Sequence, residues 1–200
     1  VENTKFGTPR IDTMFNKAEE MAKNHFISNV NADIILTSEF CGALVDVLAL
    51  GGRFLVIGRR WDLDVTEPLD FTSLDWERQL REQVKLHARL HSYTGIDYFI
   101  YTKGLFDDIP PFAVGRTAWD NWLVAAGLAR ADHVIDATQR VLAVHQNHDY
   151  SHHPQGALGV GRGIEAARNR AMVGGKPYFF IIKDRTHVLT QEGLKQPMDG

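Results

Sequence analysis

The chain has a single cysteine, Cys41, so no disulfide can form within it and the fold needs no oxidising compartment. Cys41 lies in an apolar run, where a buried, inert thiol is expected. No apolar stretch approaches the ~20 residues of a membrane-spanning helix. The N-terminus lacks the charged-then-apolar pattern of a secretory signal, and a cytoplasmic location is expected. Positive charge is not in excess, because 22 Lys and Arg stand against 25 Asp and Glu, a net −3. Without a basic block or stripe, nucleic acid is not an expected partner, although a metal or a few local cations can still hold a phosphate-bearing small molecule. Repeats, low-complexity tracts and linker-like segments are also missing. What is there is a globular composition, 44% hydrophobic and 24% charged over 200 residues, enough for one domain with a real core.

The patterning alternates helix and strand. Thr8-Pro9 is expected as N-cap and first helical residue, followed by Ile11, Met14, Phe15, Ala18, Met21 and Ala22 at helical spacing. "FISNV" is a short strand running into "NADIIL", residues 38–50 form a helix ended by Gly51-Gly52, and "RFLVIG" is a buried strand. "RRWDLDVTEPLDFTSLD" is a loop, "SLDWERQLREQVKLHARL" a helix and "DYFIY" a strand. After the proline-broken "FDDIPPF" come a helix in "TAWDNWLVAAGLAR", strands in "HVIDA" and "RVLAVH", and a histidine-rich loop. A helix in "GIEAARNRAMV" follows, and "PYFFIIKDRTHVLTQEGL" is read as two strands around a turn at Asp184-Arg185. The alternation indicates an α/β layered fold.

Several short stretches carry chemistry. Asp33 stands where "FISNV" emerges, and in open α/β sheets ligands sit beyond the carboxyl ends of strands. Its hard oxygens suit Mg²⁺ or Mn²⁺, and Asn31 lies on the same side of an extended segment. An Asx-turn at a strand end is the plain alternative. Asp120, three residues after Thr117, resembles a capping box with Asp in place of Glu, a position the helix dipole favours for a carboxylate. Trp119 and Trp122 flank it and offer flat faces for sugar rings or mass for the core. Trp61, Asp62 and Asp64 follow a buried strand, lining a pocket or forming a solvated loop. Arg59, Arg60 and Arg116 are forked donors for phosphate or hydroxyls, or members of surface ion pairs. His145, His148, His152 and His153, four of the nine histidines, fall within nine residues. Their spacing matches no structural zinc pattern and no cysteine supports one. Hydrogen bonding without a metal is the other reading.

The order of these pieces resembles a known family. "GTPRIDTMFNKAEEMAKNHFISNVNADIIL" is similar to the nucleotide-sugar half of GT-A glycosyltransferases. "RFLVIGRRWDLD", "GIDYFIY", "IPPFAVGRTAWDNWLVAAGLA", "HVIDAT" and "VHQNHDYSHH" continue in the same order over most of the chain. The whole resembles family-2-type glycosyltransferases, in particular a bacterial group carrying "GRTAWDNW" and "HQNHDYSH". The resemblance implies a GT-A-like (Rossmann-like) mixed sheet flanked by helices in one domain. Residues 1–58 would form the donor and metal half, 59–157 the acceptor and catalytic half, and 158–200 a C-terminal helix and hairpin. It implies transfer of a sugar from a nucleoside-diphosphate sugar to a glycan or other acceptor hydroxyl, with Mn²⁺ or Mg²⁺ held by Asp33, His145 and His148.

In the same resemblance Asn31, Asp33 and Arg116 contact the donor, and Trp61, Asp62, Trp119, Asn121 and Trp122 line the substrate site. Trp119-Asp120 stands where the family has Glu-Asp, so Asp120 is the one acid available as general base for an inverting transfer. His152 and His153 belong to a loop that orders over bound donor. Peripheral membrane association is left open. Two departures stand out: the triplet begins with Asn31 where the family has Asp, and no strand-helix unit for the nucleotide base precedes "FGTPRID". The expectation is therefore either a chain truncated at its N-terminus or a shortened relative. Two other classes compete, a non-catalytic GT-A-like binding module and a metal-dependent hydrolase using the His145–His153 cluster with Asp149.

Overall fold

The computed structural model describes residues 1–148, 160–174 and 180–197 of the chain. The elements in order are α1 (Ile11–Met21), β1 (Phe26–Val30), β2 (Ile34–Leu36), α2 (Glu39–Leu48), β3 (Phe54–Ile57) and β4 (Trp61–Leu63). They continue with α3 (Trp76–His87), β5 (Arg89–Leu90), β6 (Tyr98–Thr102), α4 (Trp119–Arg130), β7 (His133–Asp136) and β8 (Ala143–Gln146). Last come α5 (Ile164–Met172), a 3₁₀ turn (Ile182–Asp184), β9 (His187–Thr190) and β10 (Gly193–Lys195). The result is a mixed α/β domain with two mixed sheets rather than one. A six-stranded sheet has the order β1-β6-β3-β7-β9-β10, and a four-stranded sheet the order β2-β8-β4-β5.

The large sheet is central because its inner strands β6, β3 and β7 are apolar on both faces. Leu55, Ile57, Phe99, Tyr101 and Val134 face a core closed by Ile11 and Phe15 of α1 and by Trp119, Leu123 and Val124 of α4. Phe54, Val56, Tyr98, Ile100 and Ile135 face the opposite way, over Ala43 and Val47 of α2. Two-residue alternation sorts each strand between these layers, and burial on both sides explains why the strands read as unbroken apolar runs. α4 approaches β3 closely through Gly127, where a Cβ would collide with Leu55. The small sheet has a thinner core: Leu63 and Val144 lie under Leu80 and Val84 of α3.

Strand direction decides where a site can form. β1 and β3 are both antiparallel to β6, and β7 and β9 run parallel to β3. The carboxyl ends of β1 and β3 therefore lie at the same edge as the start of β6. α4 returns the chain to β7, so its N-terminus lies at that edge too.

Several local expectations need correction. Thr8 and Pro9 do not start α1. Pro9 bridges to Asn3, the Thr8 hydroxyl donates to Glu165, and Arg10 becomes the N-cap without a side-chain bond. "RRWDLD" is not all loop, since Trp61–Leu63 forms β4. Cys41 is exposed rather than buried, because Ala43 and Val47 form the inner face of α2. The C-terminal region has a hairpin, but it is formed by β9 and β10 with its turn at Gln191-Glu192 and not at Asp184-Arg185. Ile182–Asp184 is a 3₁₀ turn and not strand, and the start of the expected first strand lies outside the described residues. No helix among the described residues is long and apolar enough to cross a membrane.

Candidate metal and proton-transfer cleft

β2 and β8 are antiparallel and place Ile34 opposite His145, while β4 runs parallel to β8 and places Asp62 at the same level. The small sheet thus aligns the turn before β2, the end of β8 and the middle of β4. Gln146 N–H donates to the Asp33 carbonyl at 3.0 Å, which fixes that turn against β8. Asp33, His145 and His148 meet there. His145 Nε2 lies 3.4 Å and His148 Nε2 3.3 Å from Asp33 Oδ2, and one donor atom from each residue falls within a 4.8 Å cluster. Two donors each about 2.1 Å from one cation stand roughly 3.0–3.4 Å apart, close to the two Asp33–imidazole separations. The other Asp33 oxygen, Oδ1, is buried without a hydrogen-bond partner among the described residues. A carboxylate with one oxygen against two imidazoles and the other without a partner fits a divalent cation, and nitrogen donors favour Mn²⁺ over Mg²⁺.

The electrostatics of this wall keep its carboxylates ionised. The hydrogen bond with His145 holds Asp33 below the usual carboxylate range, outweighing partial burial. Asp62 stands behind His145. Its Oδ1 lies 3.7 Å from His145 Nδ1 and accepts from Arg60 Nε at 2.9 Å, while its Oδ2 meets His91 Nδ1 at 2.7 Å. Burial would raise Asp62, but His91 and Arg60 together bring it below its ordinary value. The hydrogen-bond partner of His145 Nδ1 is Asn147 Oδ1 at 3.4 Å, and the Asp62 carboxylate stands behind it as a charge facing the far side of the ring.

Asp33 and His148 open onto a cleft of about 760 Å³ whose lining also includes Asn31, Asp97, Trp119, Asp120 and Met14. Asp120 is on the facing wall, in the first turn of α4. The expected capping box does not form. Ala118 is the N-cap, at φ 88°, and makes no side-chain bond, while the Thr117 carbonyl accepts from Asn169 instead. A left-handed alanine is strained by roughly 1–2 kcal/mol, and it redirects the chain just before Trp119 and Asp120. Burial pushes the Asp120 carboxyl up to about 6, and the charge of Asp97 adds to this. Amide bonds from Asn121, Asp120 itself and Ala118 oppose the shift without cancelling it.

The remaining sequence candidates divide between the cleft and elsewhere. Asn31 and Trp119 line it, and Asp62 supports it from behind. Arg116 does not: its guanidinium meets buried Glu165 at 3.1 Å, next to the Thr4 and Thr8 hydroxyls. Asn121 is buried and donates to the Phe180 carbonyl. Trp122 packs edge-on against Phe112 under Arg130. Trp61 packs on the small-sheet core, beside a groove containing Arg81 and Arg140. Arg59 donates to the His91 carbonyl and lies over Tyr93, and Asp64 accepts from Asn147. Asp149, His152 and His153 lie outside the described residues. Asp97 was missed by sequence reasoning, which registered it only as the first residue of a strand. Its partners Asn31 and Arg60 are distant in sequence and become neighbours only through strand pairing. No family model, no curated protein and no solved structure matches the chain.

Proposed function

We propose that the chain is a metal-dependent glycosyltransferase of the GT-A type, moving a sugar from a nucleoside-diphosphate sugar to an acceptor hydroxyl with inversion. The observation that carries this reading is one cleft holding two unlike carboxylates. Asp33 is ionised and grouped with His145 and His148, and Asp120, near neutrality, faces the same space. Residue chemistry of this kind separates a charge-holding group from a proton-accepting one. The placement of the cleft at the carboxyl ends of β1 and β3 is the position expected of a ligand site in such sheets.

Asp33, His145 and His148 would hold Mn²⁺. When bound, the metal would neutralise charge developing on the departing diphosphate. Asp120 accepts the proton of the acceptor hydroxyl as that oxygen bonds to the anomeric carbon and the bond to phosphate breaks. Trp119 is nearly buried against Phe99 and anchors the first turn of α4, and with it Asp120, to the sheet. Asn147 Oδ1 meets His145 Nδ1 at 3.4 Å, with Asp62 3.7 Å from the same nitrogen, and Arg60 joins Asp62 to Asp97. Two imidazoles with one carboxylate also suit a metal-dependent hydrolase, which would turn over the sugar nucleotide without an acceptor.

The test is calorimetric titration with UDP and then GDP, each with and without Mn²⁺. Binding of one nucleotide that requires Mn²⁺, is abolished in Asp33→Ala and is weakened in His148→Ala is the expected result. Absence of binding for both nucleotides would overturn the donor assignment.

A further inference from the structure

The first residue of the strand-end triplet faces a partner that its position in the sequence conceals. Val30 of β1 is opposite Tyr98 of β6 in an antiparallel pair, so the next residues out, Asn31 and Asp97, are direct cross-strand neighbours. Their backbones are joined, with Asn31 N–H donating to the Asp97 carbonyl at 2.9 Å. Their side chains are joined as well, with Asn31 Nδ2 donating to Asp97 Oδ1 at 2.7 Å. Arg60 completes the clamp by donating to Asp97 Oδ2 at 2.9 Å. The Asp97 side chain is only 9% exposed, yet Asp97 lines the cleft with Asp120 and Asp33.

An aspartate at position 31 would set two carboxylates directly opposite each other, an arrangement that destabilises a strand pair. It would also remove the amide donor from a nearly buried acceptor, which is costly in its own right. The asparagine is thus the residue this pairing requires, and not a weakened copy of a metal-binding aspartate.

We propose that Asn31 is a positioning residue for Asp97, clamping the second acidic wall of the cleft together with Arg60, and that it is not part of the metal donor set. The proposal rests on the metal-and-base reading of the cleft. The experiment compares wild type, Asn31→Asp, Asp97→Asn, the reciprocal double variant Asn31→Asp/Asp97→Asn, and Asp33→Ala as a metal control. Melting temperature is measured in EDTA, and Mn²⁺ uptake is followed by loss of the free-ion EPR signal.

Asn31→Asp should lower the melting temperature by about 5 °C. The double variant, which restores a donor–acceptor pair, should recover at least about half of that loss. Asn31→Asp should bind Mn²⁺ no more tightly than wild type. A gain of about tenfold in Mn²⁺ affinity with an unchanged melting temperature would overturn the proposal, as would a double variant no more stable than Asn31→Asp alone. If wild type and Asp33→Ala alike take up no Mn²⁺, the metal reading falls, and the EDTA melting series still decides the role of Asn31.

Discussion

The two walls of the cleft treat a carboxylate in opposite ways. On the small-sheet wall every acid has a cationic or imidazole neighbour: Asp33 has His145 and His148, and Asp62 has Arg60 and His91. Both acids are held below their ordinary range. On the helix wall Asp120 has the α4 N-terminus but, among the described residues, no basic side chain bonded to it, and the charge nearest in effect is the like charge of Asp97. Burial then prevails and the carboxyl rises to about 6. A helix N-terminus contributes only about 0.3–1 kcal/mol toward the ionised form at exposed sites, less than desolvation takes away here. The same residue type thereby serves two chemistries within one cavity, a permanent anion on one wall and a titrating group on the other.

The sharpest way to break this contrast is Asp120→Asn. Loss of a general base lowers turnover by about 10²–10⁴-fold, so near-complete loss of transfer is expected in an acceptor assay. The same substitution should raise stability at pH 7. The Asp120 proton is held more tightly in the folded chain than in the unfolded one, so its stabilising effect is full below the ordinary carboxylate range and is lost as pH rises through about 6. Removing the ionisable group relieves that loss, by up to about 2–3 kcal/mol near neutrality. Urea denaturation at pH 7 should show the gain, and at pH 3.5 the gain should shrink.

A smaller effect is expected behind the other wall. Asp62→Asn should weaken Mn²⁺ binding by about tenfold, the usual result of losing a carboxylate that stands behind a metal-binding imidazole, as read by EPR titration. Asp97→Asn should move the acid limb of the rate profile toward lower pH, because it removes the like charge that helps raise Asp120. The smallest effect on the cleft belongs to Arg116→Ala. Its partner is Glu165, so Mn²⁺ and nucleotide affinity should be unchanged. Urea denaturation should show a loss of about 1–3 kcal/mol from the stranded acid.

The sequence was informative where a single segment carries the signal. A short, half-exposed run marked the edge strand β1. Apolar runs bounded by Gly, Pro and polar turns marked β3, β6 and β7, because those strands are buried and continuous. Helical spacing marked α1 to α5 for the same reason. It was silent where structure depends on pairing between distant segments. β2, β4 and β5 are two or three residues long, too short for periodicity, and exist because β8 threads between partners from either side. Their absence from the sequence reading concealed the small sheet that assembles Asp33, His145 and Asp62. It also left Trp61 and Arg116 as candidates, although one packs on a core and the other on Glu165. Asp97 was illegible because nothing local distinguishes a strand-initiating aspartate from one clamped by Asn31 and Arg60.

The most direct test of the two-walled cleft is a ¹³C-carboxyl NMR titration of Asp33 and Asp120 in the same metal-free sample. Asp33 is expected to titrate below the ordinary carboxylate range and Asp120 near 6. Asp120 titrating with Asp33, or below it, would contradict the division of labour between the walls and remove Asp120 as the base.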